Sequence, residues 1–468
     1  MIRDKTLILF KFASLFSYSQ TIIEELIKAN EEICICIMKE NHVGNTDYLI
    51  KKINGTKSLI AQNKTDLKKE VLISENNKIK IIFGQERKDL WEYPARLIRE
   101  SLNYLAYIKR KDTGTFFENQ KTYTPNITKV IASLKILNLF IIKTNIYSII
   151  LKFLHLFIPT SKKIKYFILK NRCSKIIVVG GNWPSSEKRF SSEIDYIKAA
   201  NKLNIKSVIQ VVSWDNLTAR GLYHYKPNTI LVWNKQHAYE ANKIHNIKKK
   251  NIQITGSPFM DKWFFLSSKK DTPEIFKKKL GLDANKPLIT YLGSAQNIST
   301  TESLIVENLY VELKKLGVQI IVRPHPSNYI QFKSIEERVK IIPNNGDLPD
   351  TTKSKKIMIE TISNSIATIG INTTAMLDSL ILGSQAFALV KPEFEDHQLS
   401  TYHFKQIIDY DLLNIVRSES EFINIIRNKS IYNKKFEENR DKFLMEFCRP
   451  NGVNKSAGSI SAEIILNN

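Results

Sequence analysis

The residue types best suited to chemistry at an anionic group stand in Arg323-Pro324-His325-Pro326 and Asn372-Thr373-Thr374-Ala375. Arg323 offers a planar fork of N–H donors that fits phosphate oxygens. His325 is held between two prolines, which narrows the directions open to its ring. An imidazole so held can donate to a leaving phosphate or shuttle a proton. Asn372 or Thr373 is expected to cap a helix whose first turn presents N–H groups and a positive dipole end to an anion. Asp378 lies one turn beyond Thr374, where a carboxylate could accept from two ribose hydroxyls. Gly293-Ser294 adds a turn at which a backbone N–H can approach a phosphate. Plain capping and turn formation would use the same residues.

A second cluster is Val212-Ser213-Trp214-Asp215-Asn216-Leu217-Thr218. Ser213, Trp214 and Asn216 read as the wall of an acceptor site. Asp215 is a candidate general base toward a hydroxyl, and Asp and Asn are also favoured as turn caps. Asp409-Tyr410-Asp411 fits a short metal-binding pattern, but the chain has 46 acidic residues and no partner group is evident, so no metal is expected. Walker A, G-x-S-x-G, HExxH and G-x-G-x-x-G patterns are absent, and no nucleic-acid-binding signature is present.

The elements that must position these residues alternate between short β-branched runs and helical periods. Strands are expected at Thr6–Phe10, Ile33–Met38, Ile79–Phe83, Lys175–Val179, Ser207–Val212, Thr229–Trp233 and Asn251–Ile254. A second series runs through Leu288–Leu292, Val318–Arg323, Ile366–Ile371 and Gln385–Val390. Helices fall between them, among them Ser19–Ala29, Leu90–Arg110, Ser192–Leu203, Thr300–Leu316 and Lys355–Asn364, and Asn234 is placed as a helix cap. Such alternation implies parallel sheets in two doubly wound α/β domains facing each other, with ligands beyond the carboxyl ends of the strands. The Lys-rich stretch Ser267–Lys286 reads as the connection. The divisions expected are 1–270, carrying a basic helical insertion near 101–170; 285–432; and 433–468, terminal helices packing across the domains.

Composition supports ordinary cores: 43% of the 468 residues are hydrophobic and 25% are charged. The formal net charge is +24, and residues 101–170 hold twelve Lys or Arg against Asp112 and Glu118. That stretch is either an anion-facing surface or a solvated face. Cys34, Cys36, Cys173 and Cys448 form no paired or zinc-like spacing and read as reduced thiols. Residues 6–17 read as a strand and not a leader, because Lys11 interrupts them and no cleavage site follows. In 131–158, Lys135, Lys143 and Lys152 break the apolar run too often for a membrane span. A buried helix is the first expectation there, ahead of a helix lying in a membrane interface.

Several motifs together resemble bacterial GT-B proteins of surface-carbohydrate biosynthesis, loosely related to capsular polysaccharide synthesis and glycerophosphotransferase-like proteins. They are Ser213–Thr218, Val232-Trp233-Asn234, Glu240-Ala241, His245, Thr255-Gly256-Ser257 and Leu280-Gly281-Leu282. Arg323–Pro326, Asn372–Ala375, Phe443-Leu444 and Cys448–Gly452 complete the set. Two departures are Ser384-Gln385, where the family has a small residue and proline, and Asp378, where it often has Glu. The resemblance implies two Rossmann-like domains, with a terminal helix crossing back to the first. It implies an inverting, metal-independent glycosyltransferase of the cytoplasm; from its charge alone, the basic segment 101–170 would face an anionic membrane at the inner face. It would bind a nucleotide-sugar donor through Gly293, Ser294, Arg323, His325, Asn372, Thr373, Thr374 and Asp378. His325 and Asp215 would be catalytic, and a glycan or lipid-linked acceptor would meet Ser213, Trp214 and Asn216. No cofactor and no nucleic-acid partner are expected. Rival readings are a glycerophosphotransferase using a CDP-linked polyol, a sugar-nucleotide 2-epimerase, and a non-enzymatic scaffold of envelope synthesis.

Overall fold

The computed structural model describes residues 5–39, 71–73, 79–112, 115–133, 140–183, 192–266, 271–296, 298–346, 349, 352–429 and 435–467. The chain forms two compact units, Met1–Phe259 with Phe447–Asn468, and Met260–Glu446.

The first unit is built on β1 (Lys5–Phe12), β2 (Glu32–Lys39), β3 (Val71–Ile73), β4 (Ile79–Phe83), β5 (Cys173–Val179), β6 (Lys206–Gln210), β7 (Thr229–Val232) and β8 (Ile252–Ile254). They form one sheet in the order β3-β4-β2-β1-β5-β6-β7-β8, parallel except for β3 at the edge. The central strands are covered on both faces, which is why β1 reads as an almost unbroken apolar run with Leu7, Ile8, Leu9 and Phe10 buried. In register, Leu7 pairs with Cys34 on β2 and with Ile176 on β5. All four cysteines are buried and free.

The helix Gln20–Lys28 buries Ile22, Ile23 and Leu26, the i, i+3/i+4 face legible in the sequence. The last helix, Ala457–Asn467, returns to this unit and adds Ala462 and Ile465 to the same core. Gly458 permits that seat, because a Cβ there would stand 2.3 Å from the Thr21 hydroxyl oxygen. The terminal segment divides. Phe436–Phe443 is charged, a π-helical turn spans Leu444–Cys448, and the final helix is apolar.

Between β4 and β5 lies the helical insertion, with helices Glu92–Arg110, Thr115–Tyr123, Asn126–Ser133, Phe140–Leu156 and Lys162–Lys170. A buried ionic network ties it to the sheet layer. Asp195, on the helix Glu193–Lys202, accepts from Arg87 at 3.0 Å and from both terminal nitrogens of Arg99 at 2.9 Å. Arg99 also donates to His155 Nε2 at 3.1 Å. Burial alone would raise the Asp195 carboxyl, but the two guanidiniums reverse that and hold it below its ordinary value. His155 is pushed down to about 3 by burial and the neighbouring cations, so it is a neutral acceptor.

The helix Phe140–Leu156 corrects the expectation of a buried helix over 131–158. Leu151 and His155 are buried, but Ile149 is 63% and Phe153 58% exposed on its other side. Among the described residues the insertion packs on one side of this helix, and apolar side chains on its other side are exposed.

The second unit carries β9 (Leu288–Leu292), β10 (Gln319–Arg323), β11 (Lys340–Ile341), β12 (Ala367–Gly370), β13 (Ala386–Leu389) and β14 (Leu413–Val416). Their order is β11-β10-β9-β12-β13-β14, all parallel. Of the stretch expected to connect the domains, 267–270 lie outside the described residues and 271–286 belong to this unit. Thr272 caps the helix Pro273–Lys279, and Phe276 packs with Leu288, Ile321 and Ile342. A Lys-rich surface had masked that one buried aromatic.

Candidate functional site

In the second unit the strand order reverses direction at β9. The first strand has β10 on one side and β12 on the other, and crevices open at the carboxyl ends at such switch points. Gly293-Ser294 follows β9, Pro324–Pro326 follows Arg323 at the end of β10, and Asn372–Thr374 closely follows β12. The fold therefore brings these three segments together. The Asn372 N–H donates to Ser294 Oγ at 3.2 Å, joining the ends of β12 and β9.

The individual roles differ from those read in the sequence. The Gly293 N–H is spent on the Arg323 carbonyl at 2.9 Å, so it is not offered to a phosphate. Glycine also suits a tight place here, since a Cβ would stand 3.1 Å from Pro324 Cα and 3.2 Å from the His325 nitrogen. Ser294 is fully buried, and its N–H donates to both oxygens of Glu302, at 3.0 and 3.1 Å. Asp378 is 3% exposed and accepts the Trp263 indole N–H at 2.6 Å. Its carboxylate is part of the packing and not an open ribose clamp. Burial raises Asp378 to about 6, against the opposing charges of Lys262 and Arg323 and the Trp263 hydrogen bond.

His325 is partly buried. Its Nδ1 accepts the Ser327 N–H at 3.2 Å and lies 2.9 Å from the Ser327 hydroxyl. That bond fixes the tautomer and leaves Nε2–H as the ring's donor. Burial lowers the imidazole to about 4, so it is neutral at physiological pH. Arg323 is buried at the strand end. Asn372 sends its side-chain N–H to the His397 carbonyl, so it is not the helix cap. Thr373 Oγ1 takes the Ala375 N–H at 3.4 Å, ahead of the helix Ala375–Ile381. Asn372, Thr373 and Thr374 are all partly exposed, which makes them, with His325, the accessible part of the constellation.

Sequence reasoning passes over Glu302. It is fully buried, takes the Tyr291 hydroxyl at 2.9 Å as well as the Ser294 N–H, and is pushed up to about 7 by burial against those bonds. A glutamate in a first helical turn is ordinary, so no local signal marks it. Gln398 is similarly silent in sequence, yet its amide donates to the carbonyls of Ile371 at 2.7 Å and Leu389 at 2.9 Å, bracing the ends of β12 and β13.

In the first unit, Ser213–Thr218 follows β6 and is held from several sides. Asn216 is buried, accepts the Val212 N–H at 3.1 Å and donates to Asn182 at 2.6 Å. His237 Nε2 meets the Trp214 carbonyl at 3.2 Å, and His245 Nε2 the Leu217 carbonyl at 2.8 Å. Burial lowers these imidazoles to about 4 and about 3, so both are neutral braces. Trp214 and Asn216 are thus framework and not acceptor wall. Ser213 and Asp215 stay partly exposed; the Ser213 hydroxyl donates to Asp215, and Arg220 lies 3.9 Å from the carboxylate. Beside them, after β5, Gly180 and Gly181 take positive φ values of 80° and 77°, and the Arg220 guanidinium lies 4.6 Å from the centre of the Trp183 ring. Asp411, at φ 52°, stands just past the helix Tyr402–Ile408. Among the described residues no three His, Cys, Asp or Glu side chains are grouped to hold a metal ion.

No family model matches the sequence, and no curated protein matches it. Solved structures do match in fold. The UDP-GlcNAc 2-epimerase of Methanocaldococcus jannaschii is 13% identical, with a TM-score of 0.51 over 99% of each chain. The fold is GT-B-like. The UDP-GlcNAc 2-epimerase of Neisseria meningitidis, solved bound to UDP-GlcNAc, is 12% identical, with a TM-score of 0.52 over 99% of this chain and 100% of that one. A putative UDP-N-acetylglucosamine 2-epimerase of Listeria monocytogenes is 10% identical, with a TM-score of 0.52 over 99% and 96%. At these identities the likeness is one of architecture.

Proposed function

We propose that the protein is a glycosyltransferase using a nucleotide-sugar donor, with the donor diphosphate held in the second unit and a hydroxyl acceptor activated in the first. The observation that carries this reading is the convergence of Arg323, neutral His325 and Asn372–Thr374 at the β9 switch point. The GT-B-like fold, shared with a protein solved bound to UDP-GlcNAc, supports the nucleotide-sugar class.

In this reading His325 donates through Nε2–H to the leaving diphosphate. The hydroxyls and N–H groups of Thr373 and Thr374 and the charge of Arg323 stabilise the negative charge that builds there. Asp215, steadied by Ser213 and Arg220, takes the acceptor proton as the hydroxyl oxygen bonds to the anomeric carbon. The bond to the diphosphate breaks on the opposite face, so the product is inverted. The acceptor in this reading is a cell-surface glycan or a lipid-linked acceptor.

A 2-epimerase is the second reading, favoured by fold likeness along 99% of the chain. Epimerisation removes a proton at C2 and returns one on the other face, which needs no acceptor. The deciding experiment has two stages. Thermal shift with UDP, CDP, GDP and their sugar or glycerol conjugates tests binding, with His325→Ala and Thr374→Ala as controls. Stabilisation by one nucleotide class, reduced in both variants, supports the donor site, and a preference for CDP-glycerol would point instead to polyol-phosphate transfer. No shift with any nucleotide would overturn the nucleotide reading and favour a scaffold. Incubation with the stabilising sugar nucleotide alone, followed by NMR, then separates the classes, since conversion without acceptor means epimerisation.

A further inference from the structure

The helix Phe140–Leu156 has two apolar faces and one core. Leu151 and His155 point into the unit. Ile146 (51%), Ile149 (63%), Ile150 (48%), Phe153 (58%), Leu154 (46%) and Phe157 (62%) are exposed. Their spacing of three and four residues sets them in one stripe along the helix. Together they expose on the order of 600 Å² of apolar surface, at the upper end for the largest patch of a soluble monomer.

The charges around the stripe say what covers it. Between Phe140 and Lys170 there are six lysines and no acidic residue. Lys152 is exposed on the same helix. After five intervening residues the next helix, Lys162–Lys170, capped by Ser161, exposes Lys162, Lys163, Tyr166 and Lys170. A second copy meeting the stripe across a two-fold axis would bring this lysine-rich region against itself, which like charges oppose. An anionic bilayer matches both features. Its acyl boundary takes the isoleucines and phenylalanines, and its headgroups take the lysines and the Tyr166 ring. No helix among the described residues is long and apolar enough to cross a membrane, so the helix would lie along the interface.

We propose that the exposed stripe Ile146–Phe157, with its flanking lysines, docks this protein on an anionic lipid surface. The inference concerns a surface of the first unit and holds whatever reaction the protein performs. The test is co-sedimentation of the full chain with phosphatidylcholine vesicles and with mixed phosphatidylcholine–phosphatidylglycerol vesicles. Expected is binding to the mixed vesicles, weakened about tenfold or more by Ile149→Asp with Phe153→Asp. Lys162→Glu with Lys163→Glu should remove the preference for the anionic lipid. Both apolar positions are more than half exposed, so the melting temperature of the double variant should equal that of the wild type. If it falls, Ile149→Ser with Phe153→Ser replaces it. Wild-type protein that stays in the supernatant with mixed vesicles, or variants that bind as the wild type does, would overturn the proposal. So would a concentration-dependent dimer that the same substitutions abolish while no vesicle binding is seen, which would make the stripe a self-association surface.

Discussion

Replacing Asp195 with Asn is the sharpest probe of how the insertion is held. Asp195 meets Arg87 and Arg99 at 2.9–3.0 Å, and the three side chains are 1%, 0% and 4% exposed. Asparagine keeps one carbonyl acceptor but removes the negative charge that faces buried Arg99, while Arg87 retains Asp89 at 2.9 Å. Breaking a buried pair in this way costs about 3–5 kcal/mol, mostly as the penalty of the stranded charge. With an m-value of roughly 5 kcal/mol/M in guanidinium chloride, the midpoint should fall by roughly 0.6–1 M. Tryptophan fluorescence is the natural readout, because Trp91, Trp183, Trp214 and Trp233 lie in the first unit and only Trp263 in the second. Asp271→Asn is the control: its partners Lys279 and Lys356 are at the surface, and the midpoint should not move. A drop of less than about 1 kcal/mol for Asp195→Asn would refute the claim that the ionic network anchors the insertion. The sign with pH follows from the depressed carboxyl: the stability it lends is present above the ordinary carboxylate range and is lost as pH falls through and below it.

Three further outcomes follow from the same geometry. His325 titrates at about 4, so its share of nucleotide binding should be flat between pH 5.5 and 8; His325→Ala should weaken binding by roughly tenfold and His325→Gln by less. Binding that rises steeply below pH 6.5 and loses that rise in His325→Gln would mean that the imidazolium is the binding form. Gly370→Ala places a methyl 2.4 Å from the Leu292 carbonyl oxygen and should cost about 1–3 kcal/mol in chemical denaturation, while an unchanged midpoint would show that β12 yields freely. His155, His237 and His245 are held at about 3, 4 and 3, so the stability tied to their neutral forms is complete above about pH 6.5 and is lost as pH falls toward those values. Melting followed by circular dichroism should therefore show a falling Tm between pH 6.5 and 4, and a Tm constant over that range would contradict the neutral, buried assignment.

The amino-acid sequence by itself determined the alternation of strands and helices, because each signal is local. Buried parallel strands are unbroken apolar runs, and helices such as Gln20–Lys28 show a 3.6-residue stripe. It also located Arg323–Pro326, Asn372–Thr374 and Ser213–Thr218 after strands, where a parallel sheet opens to ligand. It did not show the short strand Leu413–Val416, whose four residues carry too little period to stand out. Nor could it say which members of those motifs face outward. Ser294, Trp214, Asn216 and Asp378 are polar or amphipathic residues that read as ligand-facing, and tertiary contacts bury them in the framework. Glu302 and Asp195 are the reverse, since nothing local distinguishes them and burial alone gives them their importance. The same holds for Phe140–Leu156. Its residues are mostly apolar in the sequence, and only the packing of Leu151 and His155 shows which side has a core and which is exposed. Pattern sets what a segment can bury, but its neighbours in space decide which face is buried.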